Sequence, residues 1–301
     1  MARTQGGNQV QMKIGQLLRL ARVPTLAATA IPLMVGGALG LSEGKFDPLS
    51  WLDIFTVALL LQVATNALNE YGDYRHGIDR APSPGFAGLI VSGETSARSI
   101  LFVAATCYAG AFVLGMTLVL TRGILMLLFG VVAILAGILY SEGPFPLSST
   151  PVGELLVAVV MGPVEVVSAN LAASGEISTL ALIFSIPVSL MISSILLTNN
   201  LRDLDKDRDH GRRTLAVLIG RKLGSVILFM LIMSAFLWSL PVFLLFSISP
   251  SVFLIWLAFP AALWSFSVLM SGRAWPKSVA MTSRLATLVG ALLTLSILFP
   301  F

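Results

Sequence analysis

Two stretches of this chain hold side chains suited to gripping cations and phosphates. The first, Asn66 to Asp79, reads NALNEYGDYRHGID; the second, from Asn199, reads NNLRDLDKDRDHGRRTLAVLIG. Each sets amides at the end of an apolar run, then acids mixed with basic residues, then a glycine. Asp203 and Asp207 are four apart, so on a continuing helix they share a face, as do Asn69 and Asp73. Asp79 follows Gly77, where a helix end turns into a loop. Two carboxylates on one face repel unless something positive stands between them. If the stretches meet, Asp73, Asp79, Asp203 and Asp207 converge with the amide oxygen of Asn69. Such hard oxygen donors suit Mg²⁺, which takes one or two carboxylates per ion and leaves room for substrate phosphates. The interleaved bases, Arg202, Lys206 and Arg208 in one stretch and Arg75 and Arg80 in the other, suit an anionic ligand. Either stretch alone also reads as a solvated mixed-charge face. The same residue types in both favour a shared metal–diphosphate site.

These stretches need long helices to hold them. The 301 residues are 56% hydrophobic and 11% charged, with a mean hydropathy of +0.90. A soluble domain carries roughly 25% charged residues. Repeated apolar runs long enough to cross a bilayer imply an all-α polytopic membrane protein, because backbone groups in lipid must be satisfied within their own segment. Nine transmembrane helices are expected, at 24–42, 52–69, 99–120, 123–141, 152–173, 179–199, 224–244, 251–270 and 284–300. Of the 19 Lys and Arg residues, only Lys45 and Arg122 fall on one side of that arrangement. The positive-inside rule then places the N-terminus in the cytoplasm.

The two polar stretches stand four spans apart, which suggests two four-helix halves plus a ninth helix. A single domain, 1–301, is expected, with a basic cytoplasmic tail at 1–23 and active-site loops at 70–98 and 200–223. The net charge of +4 reads as topology and not as a nucleic-acid footprint. One cysteine, Cys107, permits no intrachain disulfide. TLAATAIPLMVGGALGL reads as a retained helix, not a cleaved signal.

Over nearly its whole length the chain resembles the UbiA superfamily of intramembrane prenyltransferases. The resemblance rests on Asn66, Asn69, Asp73 and Asp79 in the first stretch and on Asn199, Asn200, Arg202, Asp203, Asp207, Gly211, Thr214 and Leu215 in the second. ARVPTLAATAIPLMVGG is similar to the family's opening segment and carries over Arg22. The form of the first motif, with YSEGPFPL and GELLVAVVMGP, resembles the branch that uses 1,4-dihydroxy-2-naphthoate. The chain departs from the pattern in RAPSPGFAGLIVSG after Asp79, in Glu70 where Asp is commoner, and in SSTPV after GPFPL.

The resemblance implies Mg²⁺-dependent transfer of a polyprenyl chain from an allylic diphosphate to an aromatic acceptor within the membrane lipid. Its implied product belongs to menaquinone synthesis, and no protein partner is implied. Metal ligands would be Asp73, Asp79, Asp203, Asp207 and Asn69. Substrate would be bound by Arg22, Asn66, Asn69, Tyr140, Asn199, Asn200, Arg202 and Lys206. 4-Hydroxybenzoate and homogentisate are alternative acceptors, and a secondary transporter built on repeats is the alternative class.

Other residues carry weaker signals. Tyr140 reads equally as an interfacial anchor. Glu165, inside the fifth span, is expected to face a cavity, protonated or paired with Asn170 or a basic residue, and to position the acceptor; an ionised acid there costs about 2.5–3.5 kcal/mol. His76 and His210 read as loop surface, and Asp205 as pointing away from Asp203 and Asp207. Trp238, Trp256, Trp264 and Trp275 read as packing or interfacial aromatics. Gly36, Gly37 and Gly130 read as close-packing positions.

Overall fold

The computed structural model describes residues 12–77, 88–143, 146–246, 248–272 and 275–300. No strand occurs among them. A short helix, α1 (Ile14–Leu20), leads into α2 (Val23–Ser42), α3 (Pro48–Arg75), α4 (Ala97–Arg122) and α5 (Ile124–Ser141). The next membrane segment is broken into α6 (Val152–Val159), a π turn (Val160–Val164) and α7 (Glu165–Ser174). Then come α8 (Thr179–Arg202), the short α9 (Leu204–Asp209), α10 (Leu215–Leu237) and α11 (Ser239–Phe246). A 3₁₀ turn (Pro250–Ala258), α12 (Phe259–Met270) and α13 (Ser278–Leu298) finish the chain.

Among the described residues, eight helical segments are long and apolar enough to cross a membrane, and Ala28–Ser42 of α2 forms a shorter apolar one. The protein is thus a multi-pass integral membrane protein. Leucines such as Leu120 and Leu245 are more than 70% exposed, as side chains solvated by lipid tails are.

Lipid gives apolar side chains no reason to leave it, so helix contacts here depend on close approach. α2 lies along α7, where a Cβ at Gly36 would strike Ala169 Cβ at 2.7 Å and one at Gly40 would strike Ala173 Cβ at 2.8 Å. Gly37 similarly admits the Trp51 indole, whose Nε1 donates to the Leu33 carbonyl at 3.0 Å. At that end of the bundle the Asp47 N–H reaches the Ala173 carbonyl at 2.8 Å, and the Arg122 guanidinium pairs with the Asp47 carboxylate. Gly130 differs from the close-packing expectation. No neighbour lies within 4 Å of a Cβ there, because it borders an internal cavity.

The break between α6 and α7 has a local cause. Pro163 brings no N–H to the helical ladder, and the turn widens so that the Glu165 N–H bonds back to Val160. The Ala158 carbonyl accepts from the Ser189 hydroxyl at 2.6 Å, while Gly162 leaves room for Ser189. Widened turns of this kind re-aim the side chains that follow, and here Met161, Val164 and Glu165 all face the cavity.

Candidate active site

α3 sets Gln62, Thr65, Asn66 and Asn69 on one helical stripe along a cavity of about 250 Å³. Asp73 continues the stripe one turn further. From the facing side α8 contributes Ile192, Ile195, Leu196 and Asn199. Arg22, Tyr140 and Asn199 join Asn66 and Asn69 at the polar mouth, and the body of the cavity is apolar, with Leu33, Leu118 and Phe129 in its wall.

Arg22 reaches the mouth from a strained backbone, φ 50° and ψ 58°, the only positive φ outside glycine among the described residues. Such a conformation costs about 1–3 kcal/mol and needs surroundings that hold it. Asn66 supplies one restraint, its buried Nδ2 donating to the Ala21 carbonyl at 3.0 Å.

The second motif carries its own counter-charges. The Arg202 guanidinium donates to both oxygens of Asp203, at 2.8 and 2.6 Å, and to Asn199 Oδ1 at 2.8 Å. The helix breaks at Asp203, yet the Asp207 N–H still bonds its carbonyl at 2.8 Å, so the two acids keep their four-residue relation. Asp207 is 3% exposed and its Oδ1 accepts from Arg212 Nη1 at 3.2 Å. Burial pushes the Asp207 carboxyl above its ordinary value, against the pull of Arg212, and Lys206 adds a weaker pull. Burial works against the charge on Arg212, but Asp207 and, from the first motif, Asp73 more than restore it. Arg212 also holds the 147–149 turn, through Ser149 Oγ at 3.1 Å and the Ser148 carbonyl at 3.3 Å.

Arg212 is thus within electrostatic reach of acids from both stretches, and Tyr140 is within reach of Arg212, Glu154, Arg22 and Asp73. Asn200 does not border the cavity. Its Nδ2 donates to Glu154 Oε1 at 2.7 Å and fixes α6 against the end of α8. Asp79 and Arg80 lie outside the described residues. Asp205 is a solvated neighbour, 76% exposed and paired with Arg208 and Arg221. Glu165 does not pair with Asn170, whose Oδ1 caps the next helix by accepting from the Ser178 N–H at 3.0 Å.

Both histidines end their helices in the same way. His76 Nδ1 lies 2.8 Å from the Gly72 carbonyl and Gly77 turns left-handed at φ 67°. His210 Nδ1 lies 2.8 Å from the Lys206 carbonyl and Gly211 follows at φ 73°. That match sets a register. At one constant offset, Asn66 answers to Asn200, Asn69 to Asp203, Asp73 to Asp207, His76 to His210 and Gly77 to Gly211. The cavity walls obey it too, with Ala58 and Ile192, Leu61 and Ile195, and Thr65 and Asn199 all lining.

Three contributors were given no role from the sequence, namely Arg212, Glu154 and Glu70. Glu70 is 2% exposed and accepts backbone N–H groups from Gly88, Leu89 and Ile90 at 3.1, 2.5 and 3.3 Å, so it anchors the returning loop and does not face the mouth. Its only hint was its departure from Asp.

Asn69 borders the mouth, and Asp73, Asp203 and Asp207 are the hard oxygen donors that the two motifs add to it for a divalent ion. No group of three or more acidic, His or Cys side chains encloses a point among the described residues. An ion held by one or two carboxylates and completed by water and phosphate needs no such cage. Each carboxylate has lone pairs left beyond its arginine. The donor set fits Mg²⁺.

The profile of the UbiA prenyltransferase family matches residues 29–295. The chain is 34% identical over 248 residues to the 1,4-dihydroxy-2-naphthoate octaprenyltransferase of Bacillus subtilis, covering 82% of this chain and 80% of that one. The Escherichia coli protein of the same description is 30% identical, covering 67% and 68%. Among solved structures, a UbiA homolog from Archaeoglobus fulgidus bound to GPP and Mg²⁺ superposes with a TM-score of 0.68 at 14% identity, covering 93% of this chain and 99% of that one.

Proposed function

Since this chain belongs to the UbiA prenyltransferase family and is a prenyltransferase, we propose that it moves a polyprenyl chain from an allylic diphosphate onto the ring of 1,4-dihydroxy-2-naphthoate, with Mg²⁺ held by Asp73, Asn69, Asp203 and Asp207. The supporting observation is that Arg212 pairs with Asp207 of the second motif and feels the charge of Asp73 of the first, while Asn69 and Asn199 of the two motifs border one cavity with a polar mouth and an apolar body. The named relatives support the acceptor.

Mg²⁺ would supply Lewis-acid stabilisation of the departing diphosphate. The chain's own residues do the rest. Arg22, Arg202 and Lys206 offer the diphosphate a positive surround, and amides from Asn69 and Asn199 give it directional partners. The apolar wall keeps water from the allylic cation, and Tyr140 presents an aromatic face near its origin. Capture by an electron-rich ring carbon needs no protein nucleophile. Asp79 and the N-terminal tail belong to the same reading, with the motif end of the bundle facing the cytoplasm.

The test is a panel of 1,4-dihydroxy-2-naphthoate, 4-hydroxybenzoate and homogentisate, each incubated with purified protein, Mg²⁺ and one polyprenyl diphosphate, with products identified by mass. The naphthoate should be alkylated with loss of its carboxyl, and EDTA should abolish the reaction until Mg²⁺ is restored. Alkylation of a different ring would move the acceptor assignment. No prenyl transfer to any ring would sink the reading.

A further inference from the structure

Glu165 is the anomaly of the cavity. It borders the space, yet its Oε2 is buried without a hydrogen-bond partner. An unsatisfied polar oxygen in an apolar wall is costly, and folding gains nothing from it. The internal register sharpens the point, because Glu165 answers to Ile31 of the first half, which is 6% exposed and packs against Gly290. One half fills that level with hydrocarbon; the other puts a carboxyl there.

Its depth indicates what it meets. Glu154, tied to Asn200 at the mouth, lies about 16 Å above Glu165 at 1.5 Å per helical residue. Beyond Glu165 the cavity continues as an apolar recess walled by Leu33, Ile54, Leu118 and Met126. These belong to the far end, near the Trp51–Leu33 and Arg122–Asp47 contacts. An acceptor ring must touch the carbon that carries the diphosphate, and that carbon is held at the mouth. In that reading the ring engages at the mouth, and the hydrocarbon tail is the part of the substrate that extends along the cavity toward Glu165.

We propose that Glu165 sets how long an isoprenoid tail the cavity accepts. This rests on the prenyl-transfer reading. A tail of a few units ends above the carboxyl and leaves it clear. A longer one must lay hydrocarbon against that carboxyl to enter the recess and offers it no hydrogen bond.

The experiment compares geranyl, farnesyl, geranylgeranyl and octaprenyl diphosphates on wild type, Glu165→Ile and Glu165→Gln, with the acceptor fixed. Glu165→Ile installs the side chain already present at Ile31. It should raise the ratio of octaprenyl to geranyl kcat/KM by about tenfold or more, while Glu165→Gln keeps the wild-type ratio within about threefold. Glu165→Ala serves if the isoleucine variant does not fold. An unchanged ratio, a common shift at every length, or a change confined to the acceptor KM would overturn the proposal. If no ring is alkylated by wild type, the transfer reading fails by itself; equilibrium binding of the same diphosphates then reads the same ratio and decides the length claim.

Discussion

Arg212 is placed where one charge serves two acids. It neutralises Asp207 within its own motif and is stabilised by Asp73 from the other. Asp203 has a separate partner in Arg202. Each acid is thus held in a different environment, and the proposed site draws on all three. Asp73→Ala and Asp203→Ala should each lower kcat/KM by at least about two orders of magnitude, the scale of one charge-stabilising contact. Steady-state turnover with saturating Mg²⁺ checks this, and near-normal rates in either variant would remove that acid from the site. Glu70 belongs to a different argument, although it stands within the first motif. Glu70→Ala leaves three loop N–H groups without their acceptor and should cost about 1–3 kcal/mol of stability. Glu70→Gln, which keeps one carbonyl oxygen, should lose less. Thermal unfolding and proteolysis between α3 and α4 would measure the difference.

Helices were the legible level of this chain, because hydrocarbon leaves the backbone no other choice over long apolar runs. The span edges at 52–69 and 179–199 fall inside α3 and α8, which run on into the motifs. What apolarity cannot report is a break inside a span. The π turn before Glu165 and the kink at Gly220 in α10 follow from a missing N–H and a left-handed glycine, and neither changes hydropathy. Gly36 and Gly130 look alike in sequence but differ in surroundings, one against Ala169 and one beside empty space. Gly36→Ala should therefore push α2 from α7 and cost about 1–3 kcal/mol by overpacking, read as a lower unfolding temperature in detergent. Gly130→Ala, with open space around it, provides the comparison and should stay close to wild type.

Across the whole molecule, the echo between the two polar stretches was visible in residue types, but its register emerged only when His76–Gly77 and His210–Gly211 proved to be the same helix ending. The pairing of Asn69 with Asp73 and of Asp203 with Asp207 was legible in the four-residue spacing, and both pairs keep their helical relation in the structure. Arg212 and Glu154 were not legible, since their partners Asp73 and Asn200 lie far away along the chain. The register also accounts for the way α2 lies along α7, each being the opening membrane segment of its half. One feature of the second half bears on how such a protein is made. Asp203 and Asp207 are neutralised by Arg202 and Arg212, all within one short loop. As that loop leaves the ribosome, both carboxylates already have their counter-charges within a few residues, so neither has to wait for the other half to be neutralised.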